Sequence, residues 1–487
     1  MTEAILVVDI GSSSLRASLF DARGACLRQV TRPVAARSRD LICEVGSNEL
    51  WAAMLDAIAA LEAAPAQVGG IAVTTALGTL LADADGTPLS DIVSWQDRRA
   101  RAEAAETVHR VGGADRLYAI TGRRIAPELL APILLWFRTH RPERFRAAAV
   151  APSVKDWLVQ RLCGEWVTDP TSASYTLLYD VVAGRWSEEL AEALALTGLK
   201  LARVRGAAEV AGGLRTEVAR GCGLRAGTPV VVGGPDGTVA GIGAGMIRPG
   251  IAIDVMGTTD VVFAFSDQPC PDAERRLVLN RFPVGEAWTI GGPMAATGGV
   301  VPWLRNLTGT TLDVLTDAAR DLRPGAGGLA FLPTLAGSRA PRWEPAERGT
   351  LAGLSFDHGA PHLFRALLEG CAIEVAEMFD VLAACNVPVA EVRGVGGGTA
   401  SELWLQIRAS VLDRPIAVPE VAEASSLGAA MLGAVGIGLH ADLEAAAARM
   451  VRCTRQVAPV PDWVEPYRAL RRRYADLRRG ALPAGDG

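Results

Sequence analysis

Apolar residues in the first hundred positions alternate between two spacings. Residues 5–10 and 15–21 form short continuous apolar runs on either side of the small residues 11–14, which predicts two strands joined by a tight turn. Residues 48–64 have apolar side chains at helical spacing, with Ser47 placed to cap the helix. Strand patterns return at 71–74 and 92–95. This alternation predicts a mixed α/β fold built in layers.

The same strand–turn–strand pattern occurs again in the second half of the chain. Residues 8–21 read VDIGSSSLRASLFD and residues 254–267 read DVMGTTDVVFAFSD, so a glycine and two hydroxyl residues follow a strand in both. A repeat at about half the chain length indicates two domains of one design that face each other across a cleft. We place them at 1–245 and 246–487. A chance likeness of two generic hairpins is the alternative.

The two turns have the composition of phosphate-binding loops. Glycine followed by small hydroxyl residues exposes backbone N–H groups and adds hydroxyl donors, which suits phosphate without a lysine. The turns are Gly11, Ser12, Ser13 and Ser14 in the first half, and Gly257, Thr258 and Thr259 in the second. No GxxxxGK[ST] motif occurs and no GxGxxG follows the first strand, which argues against a P-loop and a Rossmann dinucleotide site.

Two acids stand at predicted strand ends. Asp236 follows the strand of VVVGGPDGTVAGIGAG (230–245), where it is either a catalytic base or a helix N-cap. The glycines after it would let a helix approach the sheet and a ligand closely. Asp9 ends the first strand, where the repeat has Val255. Alone it would repel phosphate, so it either adjoins a bridging Mg²⁺ or caps the turn.

A third glycine cluster lies in VRGVGGGTASELW. It follows the strand pattern of residues 389–395 and precedes a helix expected to start near Ser401. A glycine triplet there is a suitable platform for a flat ring such as adenine. Such turns are common between strands and helices, so this signal is weak by itself.

Composition narrows the class of protein. A chain of 487 residues is too long for one ordinary core, and its net charge of −5 gives no broad positive field for nucleic acid or an anionic membrane. Eight scattered cysteines without CxxC pairs are typical of reduced thiols. With no secretory leader and no apolar stretch of about 20 residues, we expect a soluble cytoplasmic protein.

Taken in order, these stretches resemble the FGGY family of carbohydrate kinases from about residue 4 to about residue 440. The stretches are VVDIGSSSLRASLFD (7–21), IVSWQDRR (92–99), VVGGPDGTVAGIGAGM (231–246), DVMGTTDVVF (254–263), TGGVVPWLRN (297–306), LPTLAGSRAPRWEPAERGTLAGL (332–354) and VGGGTASELW (395–404). The resemblance implies two actin-like (ribonuclease H-like) α/β domains facing across a central cleft. It also implies ATP-dependent phosphorylation of a small sugar or polyol, such as the ketopentose xylulose.

The resemblance assigns residues to roles. It implies that Asp236 is the general base and, with Asp9, lies near Mg²⁺. The sugar side would include Leu77, Gly78, Trp95 and Gly237. The nucleotide side would include both hydroxyl turns together with Gly298, Gly397, Gly398 and Ser401. A small-molecule substrate is the expected partner, and a homodimer remains open. An actin-like or chaperone-like ATPase switch and a catalytically silent sugar-binding relative are the alternatives.

This chain departs from the family's pattern on the sugar side. Xylulokinases commonly have Gln-Met-His-Gly where this chain has Thr75-Ala76-Leu77-Gly78, and many relatives have Asn or Gln where Gly237 stands. One corner of the pocket should therefore be roomier and more apolar, which argues against plain xylulose and glycerol.

Six residues have either two open interpretations or a structural one. Trp95 and Asp97 either line the sugar pocket or fix a strand end, and Arg339 either meets phosphate or pins its loop. Lys155 with Asp156 is interpreted as a structural pair. Trp303 is expected in the core.

Overall fold

The computed structural model describes residues 3–257, 259–294, 298–420 and 423–480. The strands of the first half are β1 (Ala4–Ile10), β2 (Ser14–Phe20), β3 (Cys26–Pro33), β4 (Ala36–Arg39), β5 (Ile42–Val45), β6 (Val68–Thr75), β7 (Gly78–Thr79), β8 (Ile92–Ser94), β9 (Val167–Thr168), β10 (Tyr179–Asp180), β11 (Arg185–Trp186), β12 (Arg203–Val204), β13 (Val210–Gly213), β14 (Pro229–Val231) and β15 (Gly234–Pro235). Its helices are α1 (Ser47–Ala59), α2 (Arg101–Arg110), α3 (Ala114–Thr121), α4 (Leu130–His140), α5 (Pro142–Ala147), α6 (Val154–Cys163), α7 (Pro170–Ser174), α8 (Glu188–Ala193), α9 (Thr216–Cys222) and α10 (Asp236–Gly243).

The second half begins its regular structure after the connection that contains the expected boundary at residue 245. Its strands are β16 (Gly250–Val255), β17 (Val261–Ser266), β18 (Val278–Arg281), β19 (Trp288–Pro293), β20 (Ala330–Leu332), β21 (Thr350–Ala352), β22 (Val389–Val395), β23 (Ile416–Pro419) and β24 (Cys453–Val457). Its helices are α11 (Val300–Thr308), α12 (Leu312–Arg320), α13 (Ala360–Ala384), α14 (Glu402–Leu412), α15 (Ala424–Gly436), α16 (Leu443–Met450) and α17 (Pro461–Gly480), with 3₁₀ turns at Ala326–Gly328 and Gly397–Ala400.

Each half is built on one large mixed sheet, and the two sheets repeat the same central plan. The first has the order β13-β14-β6-β1-β2-β3, with β15 also paired to β6, and the second has β18-β19-β17-β16-β22-β23-β24. In the first, β1 is antiparallel to β2 and parallel to β6. In the second, β16 is antiparallel to β17 and parallel to β22. The repeated hairpin and the two-domain α/β fold are confirmed.

Strand β1 is buried on both faces, which explains its continuous apolar sequence. Leu6 and Val8 point to one side, into a core shared with Met54 of α1 and Trp157 of α6. Ile5 and Val7 point to the other side, into a second core that also contains residues of α10, α15 and β16. This second core joins the two halves.

Helices α10 and α15 cross in that shared core with their backbones almost in contact. A methyl group added at Gly243 would lie 1.9 Å from the carbonyl oxygen of Ala424, and one added at Gly428 would lie 1.9 Å from that of Val239. Gly237, in contrast, faces open space. The expectation that these glycines bring the helix close to the sheet and a ligand is therefore wrong for Gly243, which admits the helix of the other half.

The sequence-based predictions for individual helix ends and for Trp303 were partly confirmed and partly wrong. Helix α14 starts at Glu402, near Ser401 as expected, and Ser401 caps it by accepting the backbone N–H of Trp404 at 3.3 Å. The prediction for Ser47 was wrong, because Gly46 occupies the N-cap position and Ser47 is the first helical residue. Trp303 is 37% exposed and stacks on Phe331, so its expected core position was also wrong. Within the described ranges, no helix is long and apolar enough to cross a membrane.

Candidate active site

Asp236 lies where a short strand becomes a helix. Residues Gly234 and Pro235 pair in parallel with Thr74 and Thr75 at the carboxyl end of β6. Asp236 is then the first residue of α10, and its carboxylate accepts the N–H of Gly237 at 2.7 Å. The N-cap position belongs to Pro235, so the alternative assignment of Asp236 as a helix N-cap was wrong.

A second carboxylate raises the proton affinity of Asp236. Burial is the larger cause and the charge of Asp9 is the next, and together they raise the pKa of Asp236 to about 6. Asp9 is buried at the end of β1 and accepts hydroxyl hydrogens from Ser425 at 2.7 Å and Ser426 at 2.6 Å, both on α15 of the other half. Within the described ranges neither carboxylate forms an ion pair with arginine or lysine. Asp236 is therefore suited to accept a proton near neutral pH.

The two carboxylates also bear on magnesium. The described residues contain no cluster of three or more His, Cys, Asp and Glu side chains that would form a complete metal cage. Mg²⁺ in kinases is commonly bound by one or two carboxylates together with substrate phosphates and waters. Asp9 and Asp236 fit that mode, because a cation between them would offset the repulsion that raises the pKa of Asp236.

A cavity of about 330 Å³ brings Asp236 together with parts of both hydroxyl turns. Its lining comes from both halves of the chain. The sequence-predicted residues that line it are Ser12, Leu77, Gly78, Trp95, Asp236, Gly237 and Thr259. One cavity thus holds the predicted sugar residues, the predicted base and one residue of each predicted phosphate turn.

Trp95 connects the residues predicted to bind the sugar to the first turn. Its indole Nε1 donates to the hydroxyl of Ser12 at 2.9 Å, and its backbone N–H donates to the carbonyl of Leu77 at 3.1 Å. Trp95 therefore both lines the cavity and fixes local structure. Asp97 does only the latter: it is fully buried, lies 2.7 Å from Arg99 and accepts the N–H of Cys43.

The remaining predicted nucleotide residues lie outside the cavity lining. Gly11 closes the first turn by donating to the carbonyl of Ser14 at 2.9 Å, and Gly398 donates to the carbonyl of Met256 at 3.0 Å. The glycine loop with Gly397 therefore lies directly beside the second turn, next to Gly257. Others outside the lining are Asp9, Ser13, Ser14, Gly298 and Ser401. Thr258 lies outside the described residues.

Lys155 supports the segment that leads to Asp236. Its buried ammonium group lies 2.7 Å from Asp156 and 3.2 Å from Asp169, and it donates to the carbonyl of Val232 at 3.1 Å. Asp169 in turn caps α7, whose Ser172 lines the cavity. The structural pairing of Lys155 with Asp156 is confirmed, and it extends to two more elements around the site.

Sequence reasoning missed several polar residues of the cavity wall. They include Arg123, Glu128, Ser172 and Tyr175, and the position of Arg339, left open above, is also in this wall. Arg123 follows Gly122, a left-handed residue that ends α3. Neither apolar spacing nor a motif distinguishes Arg123 from a surface arginine or Glu128 from a surface acid, so no signal in the sequence singled out these two residues.

Two models of one protein family match the two halves of the chain. The family model described as the FGGY family of carbohydrate kinases, N-terminal domain, matches residues 4–243, and the corresponding C-terminal domain model matches residues 253–437. The chain is 29% identical to a gluconokinase of Bacillus subtilis, over 98% of this chain and 96% of the relative. It is 32% identical to a glycerol kinase of Citrifermentans bemidjiense, over 90% and 91%.

A crystal structure of a xylulose kinase from Rhodospirillum rubrum superposes with a TM-score of 0.91 at 28% identity, covering 98% of this chain and 99% of that one. The two family models divide the chain into two domains, as the two repeated sheets do. The chain belongs to the FGGY family of carbohydrate kinases and is an ATP-dependent kinase of sugars or polyols.

Proposed function

We propose that the acceptor hydroxyl binds in the 330 Å³ cavity with Asp236 as its general base, and that Mg-ATP is held between the two hydroxyl turns. One observation carries this proposal: Asp236, Ser12 of the first turn and Thr259 of the second line the same cavity. A base and two phosphate-binding turns around one space are what in-line phosphoryl transfer requires.

The step balances with these groups. As the bond forms between the acceptor oxygen and the γ-phosphorus, the bond from that phosphorus to the β–γ bridging oxygen breaks and ADP leaves. The hydroxyl proton passes to the carboxylate of Asp236. With a pKa of about 6, most of this carboxylate is ionised at pH 7 and can orient the hydroxyl before it accepts the proton late in the step.

The nucleotide occupies the side of the second domain. Backbone N–H and hydroxyl donors of residues 11–14 and 257–259 bind the phosphates. Gly298, Gly397, Gly398 and Ser401 complete the nucleotide site, and Asp9 and Asp236 hold Mg²⁺, which neutralises phosphate charge when bound. The loop contact between Gly398 and Met256 supports this arrangement by keeping the glycine loop beside the second turn.

The acceptor is a small molecule. A volume of about 330 Å³ is at the lower end of the range for ligand pockets, which suits one monosaccharide or polyol, and a ketopentose such as xylulose is the representative from the resemblance. The names of the relatives divide among gluconate, xylulose and glycerol kinases, so they support the class of substrate and not a single compound.

Acceptor-dependent ADP release tests the proposal. The purified chain is incubated with Mg-ATP alone and with ketopentoses, polyols and aldonic acids in turn. We expect ADP release to rise at least tenfold with members of one acceptor class. Steady hydrolysis that no acceptor changes would instead identify an ATPase switch, and nucleotide binding without any turnover would identify a silent relative.

A further inference from the structure

Two arginines from different halves of the chain line the same cavity as Asp236. Arg123 follows α3 in the first half, and Arg339 precedes α13 in the second. Guanidinium groups bind a carboxylate more strongly than a neutral hydroxyl, because the hydrogen bonds are charge-assisted and can be bidentate. The carboxylates of the same lining, Glu128 and Asp236, form no ion pair with either arginine among the described residues.

Arg123 has no carboxylate partner in the described part of the chain. Its guanidinium group lies over the ring of Tyr175 at 3.7 Å and donates through Nη1 to the side chain of Asn280. Its Nε is buried and has no hydrogen-bond partner among the described residues, and the same holds for the amide nitrogen of Asn280. Buried donors without acceptors are costly, so this wall of the cavity is built to receive an acceptor.

Arg339 likewise forms no ion pair within the described part of the chain. Burial lowers the pKa of both Arg339 and Arg123, and the charges of Arg98 and Arg123 lower the pKa of Arg339 further. Glu128 is the nearby carboxylate, and it already forms an ion pair with Arg98 at 3.1 Å. Three arginines therefore lie around one carboxylate at this wall, and Asp236, the other carboxylate of the cavity lining, forms no ion pair with any of them among the described residues.

We infer that the natural acceptor is a sugar acid, such as an aldonate, whose carboxylate binds Arg123 and Arg339 across the two halves while one of its hydroxyl groups meets Asp236. This inference rests on the kinase function proposed above. The planar, bidentate geometry of guanidinium groups matches a carboxylate, and Gly237 leaves open space in the same cavity. A neutral polyol leaves both arginines unpaired, and the site should reject it for that reason.

Matched acceptors give the first test. An aldonate and the alditol of the same carbon chain differ only in a carboxylate against a CH₂OH group, as in D-gluconate against D-glucitol and D-xylonate against xylitol. We expect kcat/KM for the better aldonate to exceed that for its alditol, and for D-xylulose, by about 100-fold or more. Equal or better use of a neutral acceptor would overturn the sugar-acid inference and leave the kinase proposal intact. Absence of turnover with every acceptor would contradict the kinase proposal itself.

Variants give the second test. Arg123→Gln and Arg339→Gln should each lower kcat/KM for the aldonate about 30-fold or more, the usual consequence of truncating one partner of a buried charge pair. The ratio of aldonate to alditol use should fall with it. Arg124→Gln is the matched control, because Arg124 is the adjacent arginine but packs on Trp343 outside the cavity lining. Its ratio should be unchanged.

Calorimetric titration with ADP separates the two sources of an anion. If the arginines bind the sugar carboxylate, ADP affinity in both variants stays within about threefold of the parent, while binding of aldonate alone is lost. If ADP affinity falls as much as aldonate use, the arginines bind nucleotide phosphate and the inference is wrong. Circular dichroism confirms that each variant is folded before either measurement.

Discussion

Each half of the molecule has a pair of aspartates near its hairpin turn, and the two pairs are treated in opposite ways. In the first half Asp9 and Asp236 approach each other, and the described structure gives them no arginine or lysine partner. In the second half Asp254 and Asp260 are also fully buried, but Arg408 lies 2.7 Å from each. The two hairpins have the same backbone arrangement. Their charge environments differ because Arg408 pairs with the aspartates of the second half only.

The difference shows what makes a carboxylate available for chemistry in this fold. Arg408 is itself fully buried, and its ion pairs with Asp254 of β16 and with Asp260, the residue before β17, hold both to α14. Asp9 receives only two serine hydroxyl groups, and its uncompensated charge raises the pKa of Asp236. Asp254 and Asp260 therefore stabilise the second half, whereas Asp9 and Asp236 in the first half remain available to a cation and a proton.

Neutralising Asp236, which removes one charge of the pair Asp9 and Asp236, should have the largest effect, and that effect is on kcat. We expect Asp236→Asn to lower kcat by about 10²–10⁴-fold, the range of general-base catalysis, and to leave ADP binding within a few-fold of the parent. The melting temperature should stay equal or rise, because an ionised carboxylate beside Asp9 is unfavourable in the folded state. Steady-state kinetics, titration calorimetry and thermal unfolding measure the three quantities. A variant with near-normal kcat would remove Asp236 from the role of base.

Removing the arginine of the second pair should act on stability instead. Arg408→Leu leaves two buried carboxylates without a cation, and we expect a loss of about 3–5 kcal/mol in the free energy of unfolding. Denaturant unfolding followed by circular dichroism gives the value. Arg248→Leu, at an exposed position, is the control.

A combined variant sharpens that test. Adding Asp254→Asn and Asp260→Asn to the Arg408 substitution removes the uncompensated charges, so part of the lost stability should return. If the combined variant is less stable than Arg408→Leu alone, the ion pairs are not the cause of the loss.

The pH dependence of activity tests whether the charge of Asp9 raises the pKa of Asp236. With a pKa of about 6 in the free enzyme, Asp236 is protonated below that pH, and kcat/KM should fall tenfold per unit there. Asp9→Asn removes a negative charge, so the midpoint of its residual activity should move to lower pH. An unchanged midpoint would show that Asp9 does not act on the titrating group.

The raised pKa of Asp236 also makes stability depend on pH, in the direction opposite to activity. The folded pKa lies above the ordinary value of 3.8, so between about pH 6 and pH 4 the folded state binds more protons at this residue than the unfolded state. Acidification over that window therefore stabilises the fold through Asp236 while it lowers activity. Unfolding measured at several pH values in the parent and in Asp236→Asn isolates this contribution.

A substitution in the contact between α10 and α15 should have the smallest effect, and that effect is on the free energy of unfolding. Gly243→Ala places a methyl group against the carbonyl of Ala424, and we expect a loss of about 1–3 kcal/mol from overpacking. Gly237→Ala in the same helix meets open space and should be neutral or gain up to about 1 kcal/mol from helix propensity. Equal stability of the two variants would show that the helices can separate without cost.

Much of the fold was accessible from the sequence because its signals are local. The runs that became β1, β2 and β22 are continuous or alternating apolar segments ended by glycine, and the repeated hairpin needed only a comparison of the two halves. Helix ends were less accurate: α1 stops at Ala59 and not at residue 64, because apolar spacing does not show where backbone hydrogen bonding ends.

Residues of the candidate site could be proposed from the sequence only where a motif places a residue at a strand end. Asp9, Asp236 and the turns are such residues. Arg123 and Arg339 meet at the cavity from segments over two hundred positions apart in the chain, and no local pattern encodes that meeting. The prediction for Trp303 was wrong for the same reason. The apolar stripe of α11 shows which face of the helix is buried, but not how far distant segments cover the side chains at the edge of that face.

The crossing of α10 and α15 has a mechanical meaning for the two domains. Each glycine of the crossing abuts a carbonyl of the opposite helix, α10 begins with Asp236, and α15 carries the serines that hold Asp9. A rotation of one domain against the other that keeps this contact must turn about the crossing. Asp236, at the start of α10, and Asp9, held by the serines of α15, then lie near the axis of rotation and move little.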